Sequence, residues 1–264
     1  MTNEENDTDP AVRIPRRYQR LWGVAEPSRR GPRPRLSLDA VARAGIEIAD
    51  AEGISAVSMS RVAKALGYTT MSLYRYVDSK DELIEVMVDR SGDPPPDPDP
   101  GLDWRAALER WAYAQLDVFR DHPWTATLPV SGPPLSPRAL RWMEAGLDAL
   151  ADTPLTHTER VGVLLAVTMS VLNAVRLGLE LSSGDDLSPA DYGRAIGTLV
   201  TDVTHPHLTA AVRDGAFHGD QPSSADSTDD DFAFGLGLTL DGVDALIARR
   251  GPRPRPRPRT KAAH

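Results

Sequence analysis

Between residues 36 and 250, apolar residues recur at intervals of three and four, the spacing of one helical face. Val41, Ala44, Ile48 and Ala51 predict a helix from just after Ser37 to about Glu52, ended by Gly53. Val62, Ala63 and Leu66 predict another behind the cap candidate Ser58, ended by Gly67. Leu73 and Val77, four apart, turn a short third helix inward, with Thr69 as its candidate cap. Leu83, Ile84, Met87 and Val88 mark the next, opened by the capping box Ser79-x-x-Glu82. Gly92 then begins GDPPPDPDPG, whose prolines forbid helix and whose acids keep it solvated. Beyond this break, Trp104, Leu108, Trp111, Leu116 and Phe119 predict an amphipathic helix over about 103–120. Leu140, Met143, Leu147 and Leu150 follow behind Ser136 and Pro137. The box Thr156-x-x-Glu159 opens a long apolar helix reaching to about Gly184. Ser188-Pro189 starts one more, HPHLTAAVRDG makes a short one, and Asp229 to Asp231 open the last, which closes on Arg249 and Arg250 before Gly251. The fold class is all-α: a three-helix head over 36–91, a Pro-rich linker over 92–102 and a helical body over 103–250. Residues 1–35 and 251–264 lack apolar periodicity and read as disordered basic tails.

Two body helices carry more apolar surface than one domain of this size covers. The stretch VGVLLAVTMSVLNAVRLGLEL, residues 161–181, is apolar on nearly every side, and its length approaches a membrane span. Asn173, Arg176 and Glu180 argue instead for a buried helix and no membrane partner. The last helix places Phe232, Leu236, Leu240, Val243 and Ile247 in a stripe, with Gly235, Gly237 and Gly242 permitting close approach. The two helices could pair with those of a second copy as a four-helix bundle, or form an intramolecular core.

The charge is unevenly placed, and this changes the reading of partners. A formal net charge of −8 argues by itself against nucleic acid, where phosphate neutralisation dominates affinity. Yet residues 13–35 are dense in arginine, and the C-terminus repeats the theme in RRGPRPRPRPRTK. Arg30-Gly31-Pro32-Arg33-Pro34-Arg35 recurs as Arg250-Gly251-Pro252-Arg253-Pro254-Arg255, an extended cationic pattern suited to non-specific phosphate attraction. The absence of cysteine excludes disulfide frameworks and thiol chemistry and suits a reducing cytosol. The opening MTNEENDTDP is acidic without an apolar run, so a secretory leader is not expected and a cytoplasmic location is.

The short third helix is chemically distinctive on its outer face. Thr70, Met71, Ser72, Tyr74, Arg75 and Tyr76 offer hydroxyls, a methyl-sized apolar contact, phenols and a cation, a set that reads base edges and grips phosphates in a major groove. Lys80 opposes the dipole of the helix it opens, which a phosphate partner would explain. Across residues 36–90 the run LSLDAVARAGIEIADAEGISAVSMSRVAKALGYTTMSLYRYVDSKDELIEVMVD resembles the DNA-binding domain of the tetracycline-repressor (TetR) family of transcription regulators. Ala63 and Gly67 at the turn, Leu73-Tyr74 in the recognition helix and Ser79-Lys80 at the next carry the match. More loosely, HPW near residue 122, the long apolar helix and DFAFGLGLTLDGVDALI resemble the C-terminal domain of the tetracycline-repressor branch.

The resemblance implies a homodimer that binds a double-stranded, near-palindromic DNA operator and releases it on binding a small, apolar or aromatic effector. Ser58, Ser60, Tyr74, Tyr76 and Lys80 would then hold phosphates, Thr70, Met71 and Ser72 would read bases, and Thr69 and Arg75 would flank them. For the effector, Trp111, Phe119, Trp124, Trp142, Met143 and Met169 are candidate walls. Gln115, His122, Asn173 and Arg176 are candidate polar groups. An effector would alter head spacing through the helix over 79–90 working against that over 104–120. His205-Pro206-His207 lacks a third ligand at metal spacing, so neither metal nor cofactor is expected. No Gly-rich phosphate loop, Gly-x-Ser-x-Gly elbow or zinc signature supports an enzyme. The alternatives are an architectural DNA binder working through its basic tails and a helical enzyme with scattered acids.

Overall fold

The computed structural model describes residues 14–23, 36–129, 132–183, 189–217 and 225–251, and every regular element among them is helical. The chain divides into two compact units, Met1–Pro94 with Pro129–Trp142, and Pro95–Leu128 with Met143–His264.

The first unit is built on helices α1 (Arg16–Leu21), α2 (Leu38–Glu52), α3 (Met59–Ala65), α4 (Thr70–Leu73) and α5 (Lys80–Arg90), with a 3-10 turn at Ile54–Ala56. Val41, Val57, Val62, Leu73, Val77, Leu83, Val86 and Met87 are sealed from solvent and form its core. Helix α2 packs on α5, and Gly45 permits the approach: a Cβ there would stand 2.6 Å from Met87 Sδ. The caps hold the elements in register. Ser37 Oγ accepts from Ala40 N at 3.1 Å, Ser58 Oγ from Arg61 N at 3.2 Å and Ser79 Oγ from Glu82 N at 3.0 Å. Gly67, at φ 74°, makes the turn between α3 and α4. Thr69 occupies the cap position of α4, but its hydroxyl pairs with Ser72 Oγ at 3.0 Å rather than with the backbone.

The reading of residues 1–35 as an irregular arm is corrected at 14–23. Six residues are too few to show a period or to persist alone as a helix; α1 exists because it is docked. Leu21 is buried, and Arg20 donates to Tyr76 O at 3.0 Å and to the carboxylates of Asp78 at 2.7 Å and Glu82 at 3.4 Å. Arg17 Nε lies 2.9 Å from Glu85 Oε2, without hydrogen-bond alignment, and burial pushes the Glu85 carboxyl up against that pull. The remainder of 1–35 and residues 252–264 lie outside the described residues.

A second difference concerns residues 129–142, which the sequence assigns to the body. Helix α7 (Pro137–Ala149) begins in the first unit, where Arg138 N donates to the buried Asp89 carboxylate at 2.9 Å and Arg138 Nη1 to Gly92 O at 2.6 Å. Trp22 Nε1 donates to Leu135 O at 2.9 Å, tying α1 to the same segment.

The second unit contains α6 (Trp104–Asp121), a 3-10 turn at Pro123–Thr125, the rest of α7, α8 (His157–Ser183), α9 (Pro189–Leu199), α10 (Pro206–Arg213) and α11 (Ala225–Arg250). Asp103 caps α6, and the box at Thr156 closes reciprocally, with Glu159 N on Thr156 Oγ1 at 3.3 Å and Thr156 N on Glu159 Oε2 at 2.8 Å. Helix α8 is the central element, packed against both α6 and α11. It is long and apolar enough to cross a membrane by length and composition, but Val163, Leu164, Val167, Val171, Leu172 and Val175 are core residues. On α11 the stripe offered as a pairing face lies inward instead: Phe232, Leu236, Leu240 and Val243 are buried within the chain, and Ile247 is half-buried. The large apolar side chains that these two helices leave exposed are Val161, Leu165 and Leu177 of α8 and Phe234 and Leu238 of α11, among the described residues.

Candidate DNA interface and ligand site

Helix α4 owes its presentation to Leu73 and Val77, both fully buried, which leave the residues between and before them on the surface. Met71 is 75% exposed and Tyr74 45%. Thr69, Arg75 and Lys80 are also exposed, while Thr70 and Ser72 are half-buried beside them. Over residues 69–80 the chain thus offers an exposed apolar side chain, hydroxyls, a phenol and two cations. Ser60 is exposed, and Ser58 Oγ lies 3.2 Å from it while capping α3. Arg61, also exposed on α3, is paired with Glu52.

Tyr76 departs from the assigned role. It is half-buried, and its hydroxyl donates to Leu36 O at 2.8 Å, so the proton a phosphate would need is engaged within the head. The phenol ties the entry of α2 to the exit of α4. Periodicity missed Arg20, whose guanidinium grips the Tyr76 carbonyl and so fixes that exit from the other side. Its only signal in the sequence was its place in an arginine-rich segment.

The effector candidates separate into distinct environments. Trp111, Gln115 and Trp124 are buried in the second unit, where Phe119, His122, Met143 and Met169 are half-buried. The His122 and Trp124 rings meet edge-on at 6.3 Å. Trp111 and Leu164 converge on Gly146 of α7, where an added Cβ would meet Trp111 at 2.9 Å and Leu164 Cδ2 at 2.7 Å. One turn along, Thr168 Oγ1 donates to Gln115 Oε1 at 3.2 Å. Trp111 and Gln115 of α6, Gly146 of α7, and Leu164 and Thr168 of α8 thus form a seam between the three helices.

Arg176, Asn173 and Trp142 do not join that seam. The Arg176 guanidinium donates to Ala126 O at 2.6 Å and Leu128 O at 3.0 Å, so it braces the loop after the 3-10 turn rather than awaiting a ligand. Asn173 is exposed, on a half-open groove of about 210 Å³ lined by Ser170, Leu177, Phe232 and Leu236 at the α8/α11 surface. Trp142 belongs to the first unit, with its ring 5.9 Å from the Arg138 guanidinium carbon. No cluster of metal ligands occurs among the described residues.

Comparison with known proteins matches both parts of the chain to one family. Residues 41–87 match the family model of bacterial regulatory proteins, tetR family, and residues 97–247 match the tetracyclin repressor-like C-terminal domain. The HTH-type transcriptional repressor DrrR1 of Streptomyces coeruleorubidus is 37% identical over 254 residues, covering 92% of this chain and 90% of the relative. The HTH-type transcriptional repressor Rv1353c of Mycobacterium tuberculosis is 26% identical over 234 residues, covering 84% and 86%. Among solved structures, apo ActR of Streptomyces coelicolor has a TM-score of 0.69 at 23% identity, covering 83% of this chain and 99% of its own. ActR in complex with actinorhodin has a TM-score of 0.67 at 24% identity, covering 84% and 100%; both likenesses are of fold. With both halves matched and a repressor relative aligned along nearly its whole length, the chain belongs to the TetR family of DNA-binding, ligand-responsive transcriptional regulators.

Proposed function

We propose that the protein is a cytoplasmic homodimeric repressor that sits on a near-palindromic operator and leaves it when an apolar or aromatic small molecule enters the second unit. Two copies of α4 enter successive major grooves on one face of the duplex, roughly 34 Å apart. Met71 contacts a thymine methyl or a base edge, and Thr70 and Ser72 offer hydroxyls to bases. Thr69, Tyr74, Arg75 and Lys80 approach the sugar-phosphate backbone on either side, with Ser60 at the start of α3. The observation that carries this reading is the exposed Met71 and Tyr74 at α4 and its C-cap, on a segment anchored by the fully buried Leu73 and Val77.

Pairing of the two copies uses the exposed apolar residues of α8 and α11, where Leu165 is 60% and Phe234 71% exposed. The aromatic seam along α6 is the favoured effector site, and ActR, a relative in fold, has been solved with actinorhodin bound. A coupling of about 1–3 kcal/mol between effector and operator suffices for release, because each opposes the other reciprocally.

The test is Tyr74→Ala together with Met71→Ala, assayed for operator binding and for oligomeric state. Tyr74→Ala should weaken binding to every sequence, and Met71→Ala should relax the preference at one base-pair position, both with the dimer intact. Loss of the dimer in either variant would make that side chain part of the core and contradict the assignment.

A further inference from the structure

Gln115 lies on the inward face of α6, more than nine-tenths buried, and its amide nitrogen has no hydrogen-bond partner. Its amide oxygen is held by the Thr168 hydroxyl of α8 at 3.2 Å, which leaves the two N–H donors directed away from that bond. A buried donor without an acceptor costs the full desolvation of the group, and such groups are rare in folded chains. The neighbourhood is otherwise apolar: Trp111 stands one turn before Gln115, Phe119 one turn after, and Trp111 and Leu164 meet at Gly146. Nearby cations are engaged elsewhere, since Arg176 is taken by Ala126 O and Leu128 O.

Resting on the effector reading above, we propose that Gln115 Nε2 is the polar anchor of the effector site and that it selects a planar aromatic molecule carrying a carbonyl-type oxygen. The chemistry is one-sided. In the structure the Thr168 hydroxyl donates to the amide oxygen, which leaves the nitrogen to be offered, and a donor demands an acceptor on the ligand. The aromatic side chains one turn to either side of Gln115 on α6, Trp111 and Phe119, favour an aromatic ring system, whose burial provides affinity while the single hydrogen bond provides orientation. A hydrocarbon of the same shape leaves the amide unsatisfied and is disfavoured.

The matched probes are 9-fluorenone and fluorene, which differ by one carbonyl oxygen, titrated against the full-length protein with tryptophan fluorescence as the readout. Wild type should bind fluorenone about tenfold more tightly than fluorene, the ratio one neutral hydrogen bond supports. Gln115→Met should bind the two equally, through a loss on fluorenone. The ligand-free Gln115→Met protein should melt close to wild type, because removing the unsatisfied donor offsets the lost Thr168 bond. Thr168→Val, which frees the amide to rotate, should reduce the discrimination without abolishing fluorene binding. The proposal is overturned if wild type treats fluorenone and fluorene alike, if it binds neither, or if the discrimination survives in Gln115→Met. Operator binding by ligand-free wild type, measured on the same preparation, separates the two levels: its absence sinks the regulator reading, whereas its presence with no discrimination sinks only the anchor.

Discussion

At the scale of single residues, the same type of side chain performs different work according to what its neighbours leave free. Tyr74 and Tyr76 are two apart and look equivalent in sequence, yet Tyr74 is exposed and Tyr76 donates its hydroxyl to Leu36 O. Tyr76→Phe should therefore cost about 0.5–1.5 kcal/mol of stability by denaturant unfolding and leave the selected DNA sequence unchanged. A changed base preference with unaltered stability would return Tyr76 to the DNA surface. Gly146 is read the same way. An alanine methyl there collides with the Trp111 ring and Leu164, so Gly146→Ala should destabilise by about 1–3 kcal/mol, measured in the same experiment. Sequence could nominate Asn173 and Arg176 as pocket residues because polar groups in an apolar helix need partners, with Gln115 as a further polar group and Trp111 as a wall. It could not tell that Arg176 finds its partners in two carbonyls 48 and 50 residues away while the Gln115 amide nitrogen finds none. That information lies in tertiary pairing, which a periodicity does not encode.

At the scale of elements, what was legible was whatever a helix announces locally. Ser37, Ser58, Ser79, Asp103 and Thr156 all cap as their positions suggest, and Gly53 and Gly67 end helices at positive φ. What was illegible depends on docking: α1 has no helical signature of its own and is held by Arg20, Arg17 and Leu21. Arg20→Ala should release it. The expected result is protease cleavage within residues 14–23 in native conditions and a stability loss of about 1–3 kcal/mol, since three acceptors lose a charged donor. Retained protection would mean that Leu21 alone holds the helix.

The ends of α8 and α11 offer a pH test. Arg250 donates to Glu159, and this bond, with the Thr156 N–H, holds the Glu159 carboxyl down to about 2. A depressed carboxyl stabilises the fold above the unfolded carboxylate value of about 4.3, and the contribution disappears as pH falls through about 2. Comparing acid unfolding of wild type with Glu159→Gln should give a constant difference above about pH 4.3 that closes towards pH 2. A difference independent of pH across that window would remove the ion pair from the account.

At the scale of the whole molecule, the acidic average conceals a DNA-binding protein, because the segment that follows α4 exposes Arg75 and Lys80 close in sequence to the exposed Met71 and Tyr74. The pairing surface was half legible. The length and all-round apolarity of α8 pointed to a partner, but the stripe chosen on α11 proved to be its inward face, since a helix apolar on several sides does not announce which side the core takes. Phe234→Glu with Leu165→Glu should yield a folded monomer in sedimentation and lower operator affinity by at least about 100-fold, the advantage that linking two half-site contacts gives. A dimer that survives both substitutions would place the interface elsewhere.

The most direct measurement of the central claim is selection of bound sequences from random duplex DNA by the full-length protein at near-physiological salt. The account predicts an inverted repeat with half-site centres about one helical turn apart, lost in Tyr74→Ala with Met71→Ala. Recovery of only AT-rich or featureless DNA, undiminished in that variant, would contradict it and transfer binding to the arginine-rich termini.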